Sequence, residues 1–119
     1  FQSIKSILLP YLSRLCLIKT TFPTETAAKQ CAEDLLNKKW AVCCHISPLT
    51  SLYHWNNSIE NDQEYECCIK TFDTFYLQIE AYIQHIHPYD CPQIIAHPIT
   101  QANSDYQTWA NKTLLTPPE

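Results

Sequence analysis

Apolar residues recur along the chain with two periodicities, one typical of strands and one typical of helices. Residues 15–21 (LCLIKTT) form a short apolar run that predicts a first strand ending before Pro23. Beyond it, apolar residues recur three and four positions apart, at Ala28, Cys31, Ala32, Leu35 and Leu36. This spacing predicts a helix, which Thr24 is placed to cap and which Lys38 and Lys39 close, because cations suit the C-terminal end of the helix dipole.

A long hairpin is predicted to follow this helix. Trp40–Ile46 predicts a second strand, which Pro48 interrupts and which resumes at residues 50–55. Asn56-Asn57-Ser58 is a turn signal, and residues 59–71 return as a long third strand. Four acidic residues alternate along its first half and favour a solvated face. They are Glu60, Asp62, Glu64 and Glu66.

The remaining pattern predicts a helix, a short strand and a final helix. Residues 73–74 can cap the second helix, which Pro88 ends because the residue before a proline avoids the helical region. Residues 93–99 predict a short edge strand blunted by Pro98, and residues 103–104 can cap a third helix.

This order of elements predicts a ferredoxin-like α+β fold, the split β-α-β sandwich with an additional C-terminal helix. Its hairpin is longer than so small a domain needs, so it is expected to project and to contact other subunits. We assign residues 15–114 to a single domain. Residues 1–14 are interpreted as a tag remnant with an N-terminal extension, and residues 115–119 as a tail.

Composition narrows the function classes. The 119 residues suffice for one domain, and 45% of them are hydrophobic, which favours a packed globular fold. Net charge is −4 and no basic run occurs, so a nucleic-acid partner is not expected. No apolar run approaches a membrane span. The seven cysteines form no C-x-x-C pair, which favours mostly buried thiols in a reducing compartment over disulfides.

The last third of the chain raises the question of a metal site. His85, His87, His97 and Cys91 fall within 13 residues of one another. Imidazole and thiolate are ligands that copper and zinc prefer. No phosphate loop, nucleophile elbow or H-E-x-x-H motif is present, so no catalytic reaction is predicted.

A series of short motifs, in order, links the chain to a known family. They are Thr20-Thr21-Phe22-Pro23, Ala41-Val42-Cys43, Thr50 to Trp55, Ile59-Glu60, Ile69-Lys70-Thr71, His87-Pro88-Tyr89 with Pro92, and the Asn103-x-x-Tyr106-x-x-Trp109 ending. The chain resembles the CutA divalent-cation tolerance proteins over roughly residues 15–114. The resemblance implies a ferredoxin-like subunit in a cytoplasmic homotrimer without established catalysis. It also implies tolerance of divalent metal ions, copper above all.

The chain departs from the family pattern at several positions. Thr20 stands where some bacterial members carry a metal-binding cysteine, and Gln93 stands where they carry a glutamate. Of that trio of ligands only the histidine is matched, by His87. Leu49 and Asn57 replace glycines usual in the hairpin. The ligand set therefore cannot be transferred unchanged.

Two readings of the metal-ligand candidates remain open. His87 with Cys91, and with His85 if the chain is extended there, could bind copper or another divalent ion weakly near a subunit boundary. Alternatively, the His87 imidazole bonds to backbone and shapes the connection to the last strand. Cys43 and His45 share one strand face, as metal ligands can, although burial in the sheet is the favoured explanation for them.

A second constellation suggests an alternative function. The resemblance places a group of aromatic residues and one lysine near an inter-subunit cleft. They are Tyr53, Trp55, Lys70, Tyr89, Tyr106 and Trp109. A lysine flanked by aromatics can hold an anion or a small molecule, which would make the trimer a ligand sensor. The same aromatics would also serve as plain interface anchors.

Overall fold

Four strands and three α-helices make up the described part of the chain, residues 13–115 of a computed structural model. Residues 1–12 and 116–119, which hold most of the predicted extension and tail, lie outside the described residues. In chain order the elements are β1 (Leu15–Phe22), α1 (Glu25–Asn37), β2 (Cys43–Trp55), β3 (Ser58–Phe72), a 3₁₀ turn (Asp73–Phe75), α2 (Tyr76–Ile86), β4 (Ile95–Pro98) and α3 (Ser104–Leu114).

The strands form one antiparallel sheet in the order β2-β3-β1-β4. β1 and β2 are joined through α1 but are separated in the sheet by β3, which is the split β-α-β arrangement. The predicted ferredoxin-like α+β fold is therefore confirmed. None of the helices in residues 13–115 is long and apolar enough to cross a lipid bilayer.

Local chemistry fixes both ends of α1. The Thr24 hydroxyl accepts a hydrogen bond from the Ala27 N–H at 3.1 Å, as the sequence predicted for an N-cap. At the other end Lys39 adopts φ 62°, and the Trp40 N–H donates to the Leu35 carbonyl at 3.1 Å. This left-handed stop takes residues 40–42 out of the strand, so β2 begins later than predicted.

The prediction that Pro48 interrupts the second strand was wrong. β2 runs unbroken from Cys43 to Trp55, with Pro48 opposite Tyr65 in the register. β2 is an edge strand. On an edge a residue without an N–H can face outward without costing a ladder hydrogen bond, so the proline is tolerated.

The tight turn of the hairpin is confirmed. Asn56 and Asn57 have φ of 48° and 65°, and Trp55 pairs with Ser58. These are the angles of a two-residue hairpin loop, which asparagine tolerates better than most residues. The chain has no glycine, so asparagine takes this role.

The predicted cap of the second helix was also wrong. The Asp73 carboxylate instead accepts the Arg14 N–H at 3.0 Å, and a 3₁₀ turn precedes α2. α2 ends at Ile86, before Pro88, and β4 is shorter than predicted. α3 begins after Asn103, the expected N-cap residue, although no side-chain cap bond forms there.

The two faces of the sheet are covered differently. The main core lies between the sheet and helices α1 and α2, with Ile18, Ile69, Ile79 and Ile83 fully buried. We call the opposite side the open face. There α3 covers only one end, over a smaller cluster that includes Leu115, a residue placed by the sequence in the tail.

Candidate functional site

A cleft of about 950 Å³ opens between the hairpin and the segment that joins α2 to β4. We call it the hairpin cleft. Its walls come from β1, from both hairpin strands and from residues 88–93. The lining residues central to its chemistry are Tyr53, Trp55, Glu60, Glu64, Glu66, Tyr89, Asp90 and Cys91.

The cleft is acidic because the glutamates of β3 occupy strand positions that all project from the open face. Glu60, Glu64 and Glu66 line it together with Asp90, and no lysine, arginine or histidine is among the lining residues that the structure describes. Such a wall attracts cations and repels anions.

Glu64 connects the hairpin to the segment that joins α2 to β4. Its carboxylate accepts a hydrogen bond from the Tyr89 hydroxyl at 2.8 Å, and its side chain is buried. Desolvation, followed by this bond to a carboxylate, raises the pKa of Tyr89. The expectation that the whole acidic row is a solvated edge was therefore wrong at Glu64. Tyr89 reaches it from the joining segment, and sequence alternation cannot show that contact.

Aromatic side chains form a wall of the cleft beside the acidic residues, with Tyr53 directly opposite Glu60 in the strand register. Tyr53 donates its hydroxyl hydrogen to Asp62, and this hydrogen bond is the main cause that raises the Tyr53 pKa to about 12. Trp55, at the tip of β2, is 50% exposed. In a single subunit much of this wall therefore faces solvent.

His87 borders this region but does not line the cleft. Its ring is buried and stacks on Phe22 with centroids 4.5 Å apart. The Tyr89 N–H donates to Nδ1 at 3.1 Å, so Nε2 carries the hydrogen and donates to the Thr21 carbonyl at 2.7 Å. Burial lowers the His87 pKa and favours this neutral form.

The other two predicted metal ligands are exposed. Cys91 lines the cleft, and His85 lies in the last turn of α2 outside it. Across residues 13–115 no three histidine, cysteine, aspartate or glutamate side chains meet as a metal-binding group. A metal ion at His87 would have to displace one of its two hydrogen bonds. The predicted set of His87, Cys91 and His85 stays a prediction.

The six residues of the predicted ligand cleft separate into two groups within one subunit. Tyr53, Trp55 and Tyr89 line the hairpin cleft. The other three gather at α3, where the Lys70 ammonium lies 5.3 Å from the Tyr106 ring and Tyr106 contacts Trp109 at 5.5 Å. The Tyr106 hydroxyl is buried without a hydrogen-bond partner among the described residues.

Comparison with known proteins agrees with the fold. The model of the family described as "CutA1 divalent ion tolerance protein" matches residues 16–113. A probable divalent-cation tolerance protein cutA homolog from Encephalitozoon cuniculi is 31% identical over 84% of this chain and 88% of its own length. The protein CutA homolog of Xenopus laevis is 36% identical over 75% of this chain, which spans 60% of that protein.

Solved structures give the same result. The divalent ion tolerance protein CutA1 from Ehrlichia chaffeensis superposes with a TM-score of 0.80 at 35% identity, covering 87% of this chain and 97% of that one. The periplasmic divalent cation tolerance protein CutA from Archaeoglobus fulgidus gives 0.81 at 29% identity, with 84% and 98% covered. The motifs, the fold and these matches agree, and the chain belongs to the CutA1 divalent ion tolerance protein family.

Proposed function

We propose that this protein supports tolerance of divalent metal ions as a homotrimer that binds copper or another divalent cation weakly. We place its action in binding rather than catalysis. The observation that carries the proposal is the hairpin cleft, where a thiol, Cys91, and four carboxylates line one space, with no basic residue from the described part of the chain.

The chemistry of this lining suits divalent ions. Carboxylate oxygen takes hard and borderline cations, and thiolate takes soft and borderline ones. Because no three such groups meet among the described residues of one subunit, a bound ion has few ligands from that subunit. Few protein ligands mean weak binding unless a second subunit supplies more of them, and water fills the positions that remain.

The exposed surface of the hairpin supports the trimer. Leu52 and Ile59 are 68% and 70% exposed on one face, and Trp55 is half exposed on the other. Within the described residues, β2 is also a long edge strand with an unpaired outer side. Apolar groups clustered beside an open strand edge favour contact with further copies of the chain. Such contacts would lie beside the hairpin cleft, as expected for a site near a subunit boundary.

A reducing compartment, the cytoplasm, fits the thiols. All seven cysteines are free, and Cys91 is exposed. Cysteines in oxidising compartments more often form disulfides.

Titration of Zn²⁺ by anaerobic calorimetry tests the cation site. Cu²⁺ is titrated in a separate, second series, because it oxidises free thiols and Zn²⁺ does not. We expect Cys91→Ser and Glu64→Gln each to weaken binding at the cleft by about tenfold or more. Glu33→Gln, an exposed carboxylate on α1, is the matched control and should bind as wild type does. His87→Gln and His85→Gln test the two remaining predicted ligands. Unchanged affinity and stoichiometry in both cleft variants would refute the site.

A second candidate function is favoured by the group at α3. Lys70 is half buried and makes no ion pair within the described part of the chain, and it contacts the unpaired Tyr106. A sensor of small anions would use this lysine. If so, inorganic phosphate should raise the melting temperature of wild type but not of Lys70→Met.

A further inference from the structure

Cys43 and His45 form a close pair of metal-ligand types away from the hairpin cleft. They occupy alternate positions of β2 and both project from the open face. The Cys43 Sγ lies 3.6 Å from the His45 Nε2. Neither residue lines the hairpin cleft.

This separation matches the distance between two ligands of one metal ion. Zn²⁺ bonds thiolate sulfur at about 2.3 Å and imidazole nitrogen at 2.0–2.1 Å, and its sites are tetrahedral. At the tetrahedral angle those bonds place sulfur and nitrogen roughly 3.6 Å apart. The two side chains share a hydrogen bond at this distance, and the distance also allows both to bond one ion that replaces its proton.

We propose that Cys43 and His45 are a two-ligand site for a borderline divalent ion, with Zn²⁺ as the best fit. The Cys43 thiol loses its proton to solvent as the sulfur–metal bond forms, and the neutral imidazole supplies the second bond. Across residues 13–115 no third histidine, cysteine or carboxylate joins the pair, so water fills the remaining positions. This site is separate from the one under the proposed function and does not depend on it.

Neighbouring residues restrain Cys43 and leave His45 accessible to solvent. Cys43 is partly buried against the cluster under α3, which restricts its thiol, while His45 is exposed. Lys70, opposite Cys43 in the register, contacts the Tyr106 ring. Its charge is thus partly engaged by the ring of a residue on α3.

Titration of Co²⁺ into the Cys91→Ser protein tests the site, because this parent lacks the thiol of the hairpin cleft. Co²⁺ replaces Zn²⁺ and shows a thiolate-to-metal charge-transfer band when sulfur binds it. We expect the band in the parent under anaerobic conditions with a phosphine reductant, and its loss when Zn²⁺ is added in excess. Adding Cys43→Ser should abolish the band, and adding His45→Ala should weaken apparent Co²⁺ affinity at least about tenfold.

Two matched controls separate this site from its surroundings. His54→Ala removes an exposed histidine from the other face of β2, and Cys68→Ser removes the thiol opposite His45. Both should leave the band unchanged, and circular dichroism should show every variant folded. The proposal is overturned if the parent shows no band or if the band survives Cys43→Ser. Equal loss in Cys68→Ser would overturn the two-ligand assignment. Failure at the hairpin cleft would appear separately, as no difference between wild type and Cys91→Ser.

Discussion

The half of the sheet that the helices cover and the projecting hairpin differ in how many side chains they bury. Under the helices, Ile18 and Ile69 are fully buried, and α1 and α2 close the core. In residues 47–63 no side chain is buried, although the ladder between β2 and β3 continues to the turn. The described chain therefore extends 54 Å along its longest axis but only 29 and 24 Å across it.

This difference raises the question of what stabilises the hairpin. A two-stranded ribbon has backbone hydrogen bonds but little apolar burial, and alone it is marginally stable in water. The exposed Leu52 and Ile59 supply the apolar surface that could be buried, but nothing within residues 13–115 covers it. The body, by which we mean the described residues outside 47–63, has a core of its own, whereas we propose that the hairpin is stabilised by a neighbouring copy.

The same substitution in the two regions should give the sharpest contrast. Ile69 and Ile59 lie on the same strand and the same sheet face, at 0% and 70% exposure. We expect Ile69→Ala to lower the free energy of unfolding by about 2–5 kcal/mol, because it leaves a cavity. Ile59→Ala should change it only through assembly. Urea unfolding at several protein concentrations separates the two effects, and an equal, concentration-independent loss would contradict the contrast.

A charge at the exposed hairpin should affect assembly more than folding. We expect Leu52→Glu to convert trimer to monomer at micromolar concentration, because burying an unpaired carboxylate at an interface costs several kcal/mol. The helical signal in circular dichroism should stay unchanged. Glu33→Gln on α1 serves as the charge-change control. A trimer that persists in Leu52→Glu would show that this surface is not at the interface.

The stability of the protein should depend on pH through His87, which borders the hairpin cleft. Its pKa is lowered in the folded protein, chiefly by burial, so the unfolded chain binds more protons in acid. The stabilisation is complete above the ordinary value of about 6.5 and is lost as pH falls through the folded-state pKa. We expect the melting temperature of wild type to fall over this window more steeply than that of His87→Gln.

His85→Gln provides the control for that pH series, since His85 is exposed in the last turn of α2. Its melting profile should follow wild type. Parallel profiles for wild type and His87→Gln would mean that the buried imidazole does not contribute to the acid sensitivity.

The smallest expected effect compares the turns of the two regions. Lys39 in the body and Asn57 in the hairpin both have positive φ. A left-handed conformation costs most residues about 1–2 kcal/mol and asparagine less. We expect Lys39→Gly to stabilise the protein by about 1 kcal/mol and Asn57→Gly by less. Chemical denaturation checks this order. A larger gain in stability for Asn57→Gly would contradict the expectation that the left-handed conformation costs more at Lys39.

The sequence predicted those parts of the fold that depend on local chemistry. Thr24, the Asn56-Asn57 turn and the helical spacing of Ala28 to Leu36 each act through neighbours in the chain, and each was confirmed. The prediction that Pro48 interrupts β2 was wrong because a strand tolerates proline at the edge of a sheet. The position of β2 at the edge is a property of the whole sheet.

The candidate site was less predictable for the same reason. Cys91 was identified from its residue type, but the link between Glu64 and Tyr89 joins residues 25 positions apart. The shared face of Cys43 and His45 followed from strand alternation, whereas their 3.6 Å contact required the side chains. Residue type and periodicity indicate candidates, and only the tertiary structure shows which of them meet.

The mass of the assembled protein in solution tests the central claim, that the hairpin is completed by other copies. Light scattering on the column-purified chain should give three times the 13.8 kDa of one chain across a wide concentration range. A stable single-chain mass over the same range would contradict the claim.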